Sequence, residues 1–270
     1  MTTLPRDVQL DAGKKVFFAS DFHLGTPSYE KSRIREELIV RWFRSIQADA
    51  GAVFLVGDIF DFWYEYKRAI PKGFVRLQGI VAEFTDQGIP VIFFTGNHDL
   101  WMFDYFTKEL GVEVCHKPQI WTINQKKIYV GHGDGLGPGD HTYKMIKKVF
   151  TNKAAQWMFS RVHPNLGIGF ANMWSKKSRA KNMKKDDQFL GENEWLWQYS
   201  KEVEATTHHD YYIFGHRHLP LDLSVGEDSR YINLGEWLHY QTFACFDGTS
   251  LNLQAFEKEM PAIHLEQLKT

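Results

Sequence analysis

Val91-Ile92-Phe93-Phe94-Thr95-Gly96-Asn97-His98-Asp99 is the stretch that decides the fold. Four β-branched and aromatic residues form a run too short for an ordinary helix, and the run stops at a glycine. That is the pattern of a buried strand entering a turn. The turn carries an amide, an imidazole and a carboxylate in succession. Upstream, the spacing predicts a helix from about Phe74 to Gln87, closed by Gly88, and before it a strand Ala52–Val56 running into Gly57-Asp58. Further upstream, Ile34, Leu38, Ile39, Trp42, Phe43 and Ile46 recur along one face of a helix over about Ser32 to Ala48. The series begins with a strand, Val16–Ser20, followed by Asp21-Phe22-His23. Strand alternating with helix implies parallel strands joined by right-handed crossovers, with functional groups collected beyond the carboxyl ends of the strands.

Downstream the helices thin out. Strands are expected at Ile120–Ile123, Lys127–Val130, Tyr211–Phe214, Leu221–Val225, Tyr231–Leu234, Phe243–Phe246 and Leu251–Phe256. The expectation is two packed sheets with helices outside. A chain of 270 residues, 43 % apolar and 24 % charged, suits one large α/β domain over residues 1–270. A net charge of −1 gives no bulk attraction to nucleic acid or membrane, although a local patch can hide in it. Cys115 and Cys245 lie far apart and have no metal-type spacing, so a reduced, cytoplasmic setting is expected. Asp7 and Asp11 interrupt the amino-terminal region, which reads as no signal peptide, and no apolar stretch approaches the length of a membrane span.

Five motifs follow apolar runs: Asp21-Phe22-His23, Gly57-Asp58, Gly96-Asn97-His98-Asp99, Gly131-His132-Gly133-Asp134 and Gly215-His216-Arg217-His218. Each alone is compatible with a capped turn. Together they supply seven candidate ligands, Asp21, His23, Asp58, Asn97, His132, His216 and His218, which is enough for two metal ions. Carboxylate, imidazole and amide oxygen suit Mn, Mg, Fe or Zn. In Asp-x-His and His-x-His at a strand end, alternate side chains lie on one side of the chain and can reach one ion. The preceding glycines are expected to permit the backbone bends that aim the ligands. A carboxylate such as Asp58 can bridge two ions roughly 3.5–4 Å apart.

These motifs, from Asp21 to His218, resemble those of the calcineurin-like metallophosphoesterase superfamily. The resemblance implies a four-layer α/β/β/α sandwich of two mixed sheets. It also implies one ion on Asp21, His23, Asp58 and His218, and a second on Asp58, Asn97, His132 and His216. The chemistry it implies is attack on phosphorus by a water activated between the two ions. His98 would stabilise or protonate the leaving group, and Asp99 would accept from its other ring nitrogen. A packing role for His98 is the alternative. Gly57-Asp58-Ile59-Phe60-Asp61-Phe62-Trp63, His132-Gly133-Asp134 with Asp140, His216-Arg217-His218-Leu219-Pro220 and Asn233-Leu234-Gly235-Glu236-Trp237 are similar, more closely, to the UDP-2,3-diacylglucosamine pyrophosphatases of lipid A biosynthesis. That family releases UMP and a diacylated sugar phosphate, and manganese is the cofactor expected. By the same resemblance Asn97, His98, Asp140, Ser175, Arg179 and His216 are expected to contact substrate. Its best-known form has Arg where this chain has His98, and Asn182 stands near another contact position.

Residues 141–185 break the strand pattern. They hold eleven Lys/Arg and no Asp or Glu, interleaved with Trp157, Phe159, Phe170 and Trp174 among others. The segment reads as an inserted helical cap. Three readings stand: a solvated basic helix pair, a nucleic-acid surface, and a lid holding acyl chains against those four aromatics at the cytoplasmic face of the inner membrane. The lid is preferred, which makes a lipid-linked sugar nucleotide the expected partner and nucleic acid not one. A generic phosphodiesterase or phosphatase acting on nucleotides or another lipid phosphate is the alternative function. A catalytically dead scaffold is disfavoured, because no ligand position is substituted.

Overall fold

The structure is a computed structural model describing residues 3–138, 141–171, 173 and 188–260. Its first half is β1 (Asp7–Val8), β2 (Lys15–Ala19), α1 (Tyr29–Ile46), β3 (Ala50–Val56), α2 (Val75–Asp86), β4 (Val91–Phe94), α3 (Tyr105–Leu110) and β5 (Glu113–Cys115). Then come β6 (Gln119–Ile123), β7 (Lys126–Val130), α4 (His141–Phe150), α5 (Lys153–Phe159) and α6, residues 164–171. The chain ends with α7 (Trp195–Glu204), β8 (Tyr211–Phe214), β9 (Pro220–Ser224), β10 (Arg230–Leu234), β11 (Thr242–Phe246) and β12 (Leu251–Ala255).

The strands form two six-stranded sheets, ordered β12-β11-β2-β3-β4-β5 and β1-β6-β7-β8-β10-β9. In the first, β2, β3 and β4 run parallel as expected, β5 joins them in parallel, and β11 and β12 add antiparallel strands. The second is parallel across β7, β8 and β10 and antiparallel at β6–β7 and β9–β10. The alternation of strand side chains builds the layers. On β2 and β3, Val16, Phe18, Ala52, Phe54 and Val56 face the second sheet, where they meet Trp121, Ile128, Val130 and Ile213. Phe17, Ala19, Val53 and Leu55 point the other way, onto Trp42 and Phe43 of α1 and Val81 and Phe84 of α2. On β8, Tyr212 and Phe214 pack with Leu196 of α7. The result is a four-layer α/β/β/α sandwich.

Helix α1 corrects one expectation. Ile34 is two-thirds exposed, and the buried residues around it are Ser32, Arg35 and Glu36. Arg35 is the one that faces the loop after β2. Its Nε donates to the Phe22 carbonyl (2.6 Å), and Nη2 donates to the carbonyls of His23 (2.6 Å) and Thr26 (2.7 Å). A buried guanidinium is tolerated because its donors are used, and here they fix the loop after β2. Glu36, next along, caps α2. Phe74, at that helix's start, has no capping side chain, and Glu36 Oε1 accepts instead from the N–H of Arg76 (2.9 Å) and Leu77 (3.1 Å).

Candidate metal centre

The chain continues as an irregular ladder past the ends of the parallel strands. Asp21 N–H donates to Gly57 O (3.0 Å), His23 N–H to Asp58 O (2.9 Å), and in the other sheet Gly215 N–H to His132 O (3.0 Å). Asp21 helps tie the sheets together: its Oδ2 accepts from His216 N–H (3.0 Å), and its carbonyl accepts from Trp237 N–H (3.2 Å). All seven side chains expected as ligands meet across this seam. Ligand-type atoms of Asp21, His23, Asp58 and His218 lie within 4.8 Å of one another, and so do those of Asp58, His132 and His216. Asp58 belongs to both sets. Asn97 Oδ1 is 3.4 Å from His132 Nε2.

Five of the seven, Asp21, His23, Asp58, His216 and His218, have φ between 44° and 65°. A left-handed conformation at non-glycine residues persists only where the surroundings enforce it, and it clusters at functional sites. The bends therefore lie at these candidate ligands as well as at glycine. Of the four glycines that precede a candidate ligand, Gly57 alone has positive φ (84°). The others provide room. A Cβ on Gly96 would sit 2.2 Å from Asp58 Oδ1, and one on Gly57 would also meet the His132 ring at 2.4 Å.

Several features fit cations. His23 Nε2 and His218 Nε2 face each other at 3.1 Å while both approach Asp21 Oδ1, at 3.6 and 3.2 Å. That oxygen is buried and accepts no hydrogen bond, an arrangement a cation among the three atoms would satisfy. Burial pushes His23 down to about 3 and His216 down to about 4, which leaves both rings neutral with lone pairs available. His132 is different. Burial would lower it, but the adjacent Asp58 outweighs that and raises it to about 10. Its Nδ1 donates to Val56 O (2.8 Å), which turns Nε2 toward Asp58 Oδ2 at 3.4 Å. A proton on that nitrogen occupies the place a cation would take.

His98 and Asp99 need a correction. Asp99 does not orient His98. Its Oδ1 accepts from Gly96 N–H (2.7 Å), and Oδ2 accepts from the N–H groups of Ile59 (2.8 Å) and Phe60 (3.3 Å). Asp99 thus turns inward, at the bend formed by Asn97, His98 and Asp99, and fastens one motif loop to another. The partner of His98 is Asp61: His98 Nδ1 donates to the Asp61 carbonyl (3.0 Å), and Asp61 Oδ1 lies 3.7 Å from the same nitrogen and 3.8 Å from His23 Nδ1. The carboxylate three positions after Asp58, in Gly-Asp-x-x-Asp, was the signal for this contact. Arg35 was signalled by a cation on the apolar stripe of α1.

The basic segment contributes α4, α5 and α6. Phe159 packs on Tyr64 and Trp101, with centroids 4.7 and 4.9 Å apart, and Trp101 Nε1 donates to Phe150 O (2.8 Å). Tyr143 Oη and Lys147 Nζ both reach Asp134 Oδ2, at 2.5 and 2.6 Å, beside His132. Phe159 thus fastens the helices to the body, while Trp157 and Phe170 are more than half exposed, as are Met145, Met158, Leu166 and Met173. Asp140, Trp174, Ser175, Arg179 and Asn182 lie outside the described residues. No helix among the described residues is long and apolar enough to cross a membrane.

A family model described as calcineurin-like phosphoesterase matches residues 14–220. A UDP-2,3-diacylglucosamine hydrolase of Porphyromonas gingivalis is 37 % identical over 256 residues, covering 90 % of this chain and 98 % of that protein. Proteins of the same description from Histophilus somni (26 % identity; 76 % of this chain, 84 % of theirs) and Haemophilus influenzae (25 %; 83 % and 91 %) are similar at greater distance.

Proposed function

Since the chain belongs to the calcineurin-like phosphoesterase family and is a hydrolase, we propose that it converts UDP-2,3-diacylglucosamine to UMP and 2,3-diacylglucosamine 1-phosphate. The observation that carries this reading is 37 % identity across 90 % of the chain, a span too long to omit residues 141–185. We assign one cation to Asp21, His23, Asp58 and His218 and a second to Asp58, Asn97, His132 and His216, with manganese as the ion. When bound, such ions polarise the phosphate and lower the pKa of an attacking water. The residues do the rest. Asp58 joins the two halves, Asp21 ties the sheets that carry them, and Arg35 holds the Asp-Phe-His loop in place. His98, with Nδ1 committed to Asp61, acts on the leaving group through Nε2.

His98→Ala is expected to retain both ions and to lose about 10²–10⁴-fold in kcat, the usual contribution of a positioned acid or base. Elemental analysis alongside kinetics checks this, and loss of metal would make His98 a ligand instead. We assign residues 141–185 to an inserted cap of a single domain over 1–270, of which α4, α5 and α6 are described. The cap's exposed apolar side chains and eleven cations suit acyl chains and the anionic cytoplasmic face of the inner membrane, where each cation contributes about 1 kcal/mol. The deciding experiment is a product assay in which the full-length protein, loaded with Mn²⁺, is given UDP-2,3-diacylglucosamine. UMP is the expected product. Cleavage of bis(p-nitrophenyl) phosphate without UMP release would replace this reading with a generic phosphodiesterase.

A further inference from the structure

Arg217 stands between His216 and His218, and its side chain goes the opposite way. Both neighbours are left-handed, with φ of 65° and 57°, so the turn throws the two imidazoles to the site and the guanidinium behind it. There it is almost wholly buried, as is Glu194, which precedes α7. The pair is bidentate: Nε to Oε2 at 3.0 Å and Nη2 to Oε1 at 3.1 Å. Arg217 Nη2 also donates to the Gln188 carbonyl, and Glu194 Oε1 accepts from Leu190 N–H (2.9 Å). Residues 188–194 thus meet the back of the His-Arg-His turn through one fixed fork of donors, a geometry lysine cannot reproduce.

We propose that the Arg217–Glu194 pair is a positioning device for the metal centre: it holds His216 and His218 in their left-handed conformations and couples them to the chain returning from the cap. This rests on the assignment of those histidines to cations. Burial of the pair is not in itself evidence for stability, because a hydrophobic replacement of both partners is often neutral, whereas removing one partner leaves a buried charge. That difference separates positioning from structure. A turn without the pair keeps its core but loses what enforces its backbone.

The test compares full-length parent, Arg217→Lys, and the double variant Arg217→Met with Glu194→Met. Thermal unfolding is measured without metal, Mn²⁺ titration is followed by calorimetry, and kcat and KM are determined on bis(p-nitrophenyl) phosphate. The double variant is expected to melt near the parent, bind its weaker Mn²⁺ at least tenfold less tightly, and lose most of its effect in kcat rather than KM. Arg217→Lys, which keeps the charge but not the fork, is expected to fall between. Parent-like Mn²⁺ affinity and kcat in the double variant overturn the proposal, even if its melting temperature drops. Should the double variant fail to fold, Arg217→Lys decides: unchanged Mn²⁺ affinity there overturns the proposal equally. Failure of the parent to bind Mn²⁺ would instead overturn the metal assignment itself.

Discussion

Asp58→Asn is expected to release both cations and to lower turnover on the order of 10³-fold or more, since the activated water depends on them. Asp58 is the residue common to the two clusters of ligand-type atoms, and it is held in place from above by the His98 N–H, which donates to Oδ1 at 2.8 Å. An amide in its place offers no negative charge to either half. Elemental analysis should find two ions per chain in the parent and fewer than one in the variant. A variant that keeps two ions would remove Asp58 from its bridging place. The metal-free protein gives an independent readout. His132, where Asp58 outweighs burial, stays protonated up to about 10. A raised imidazole pKa stabilises the fold fully below its ordinary value of ~6.5, and the contribution is lost as pH rises through the folded value. In Asp58→Asn that source of stability disappears near neutral pH, so the parent's advantage narrows as both are taken above about pH 10.

Gly96→Ala is the second large effect, and it places the damage on a residue with no side chain. The added methyl would lie 2.2 Å from Asp58 Oδ1 and 2.6 Å from Asp58 N, a backbone atom that cannot swing away. Relief requires the carboxylate and its loop to shift by about an ångström, enough to lower kcat about 10²-fold, and overpacking of this kind costs about 1–3 kcal/mol in stability. Gly79 is the control. It lies inside α2, where an added methyl would meet nothing within 4 Å, so Gly79→Ala should stabilise by about 1 kcal/mol and leave turnover unchanged. Kinetics and thermal melts on both variants decide the matter. Equal, mild effects would mean that Gly96 is merely a loop residue.

Much of the sheet architecture was legible because its central strands are buried on both faces and read as unbroken apolar runs, as in Val91–Phe94 and Ala52–Val56. What escaped was either short or tertiary in origin. β5 is three residues at a sheet edge, and β1 is two, too few for any periodicity. α3 and α7 fell in stretches whose patterning was not distinctive. In the site, residue types and order were enough to bring seven side chains together, but not to say what their neighbours do. Asp99 follows His98 in the chain yet binds backbone. Asp61, from another loop, supplies the contact instead. Adjacency in sequence gave the wrong partner because orientation at a turn is set by the fold. Gln188 and Glu194, behind the His-Arg-His turn, had no local signature at all.

The left-handed positions limit how this centre could ever be retuned. Glutamate and cysteine hold metals as readily as aspartate and histidine, but at Asp21, His23, Asp58, His216 and His218 a side chain must also accept positive φ. Asp, Asn and His are the non-glycine residues enriched in that region, where most others are strained by about 1–2 kcal/mol. Donor choice at these places is thus filtered by the backbone before coordination chemistry is consulted. Asn97 and His132 are free of that filter. Exchange of one cation preference for another, whether by selection or by engineering, has its open route through those two positions and through the residues that surround them.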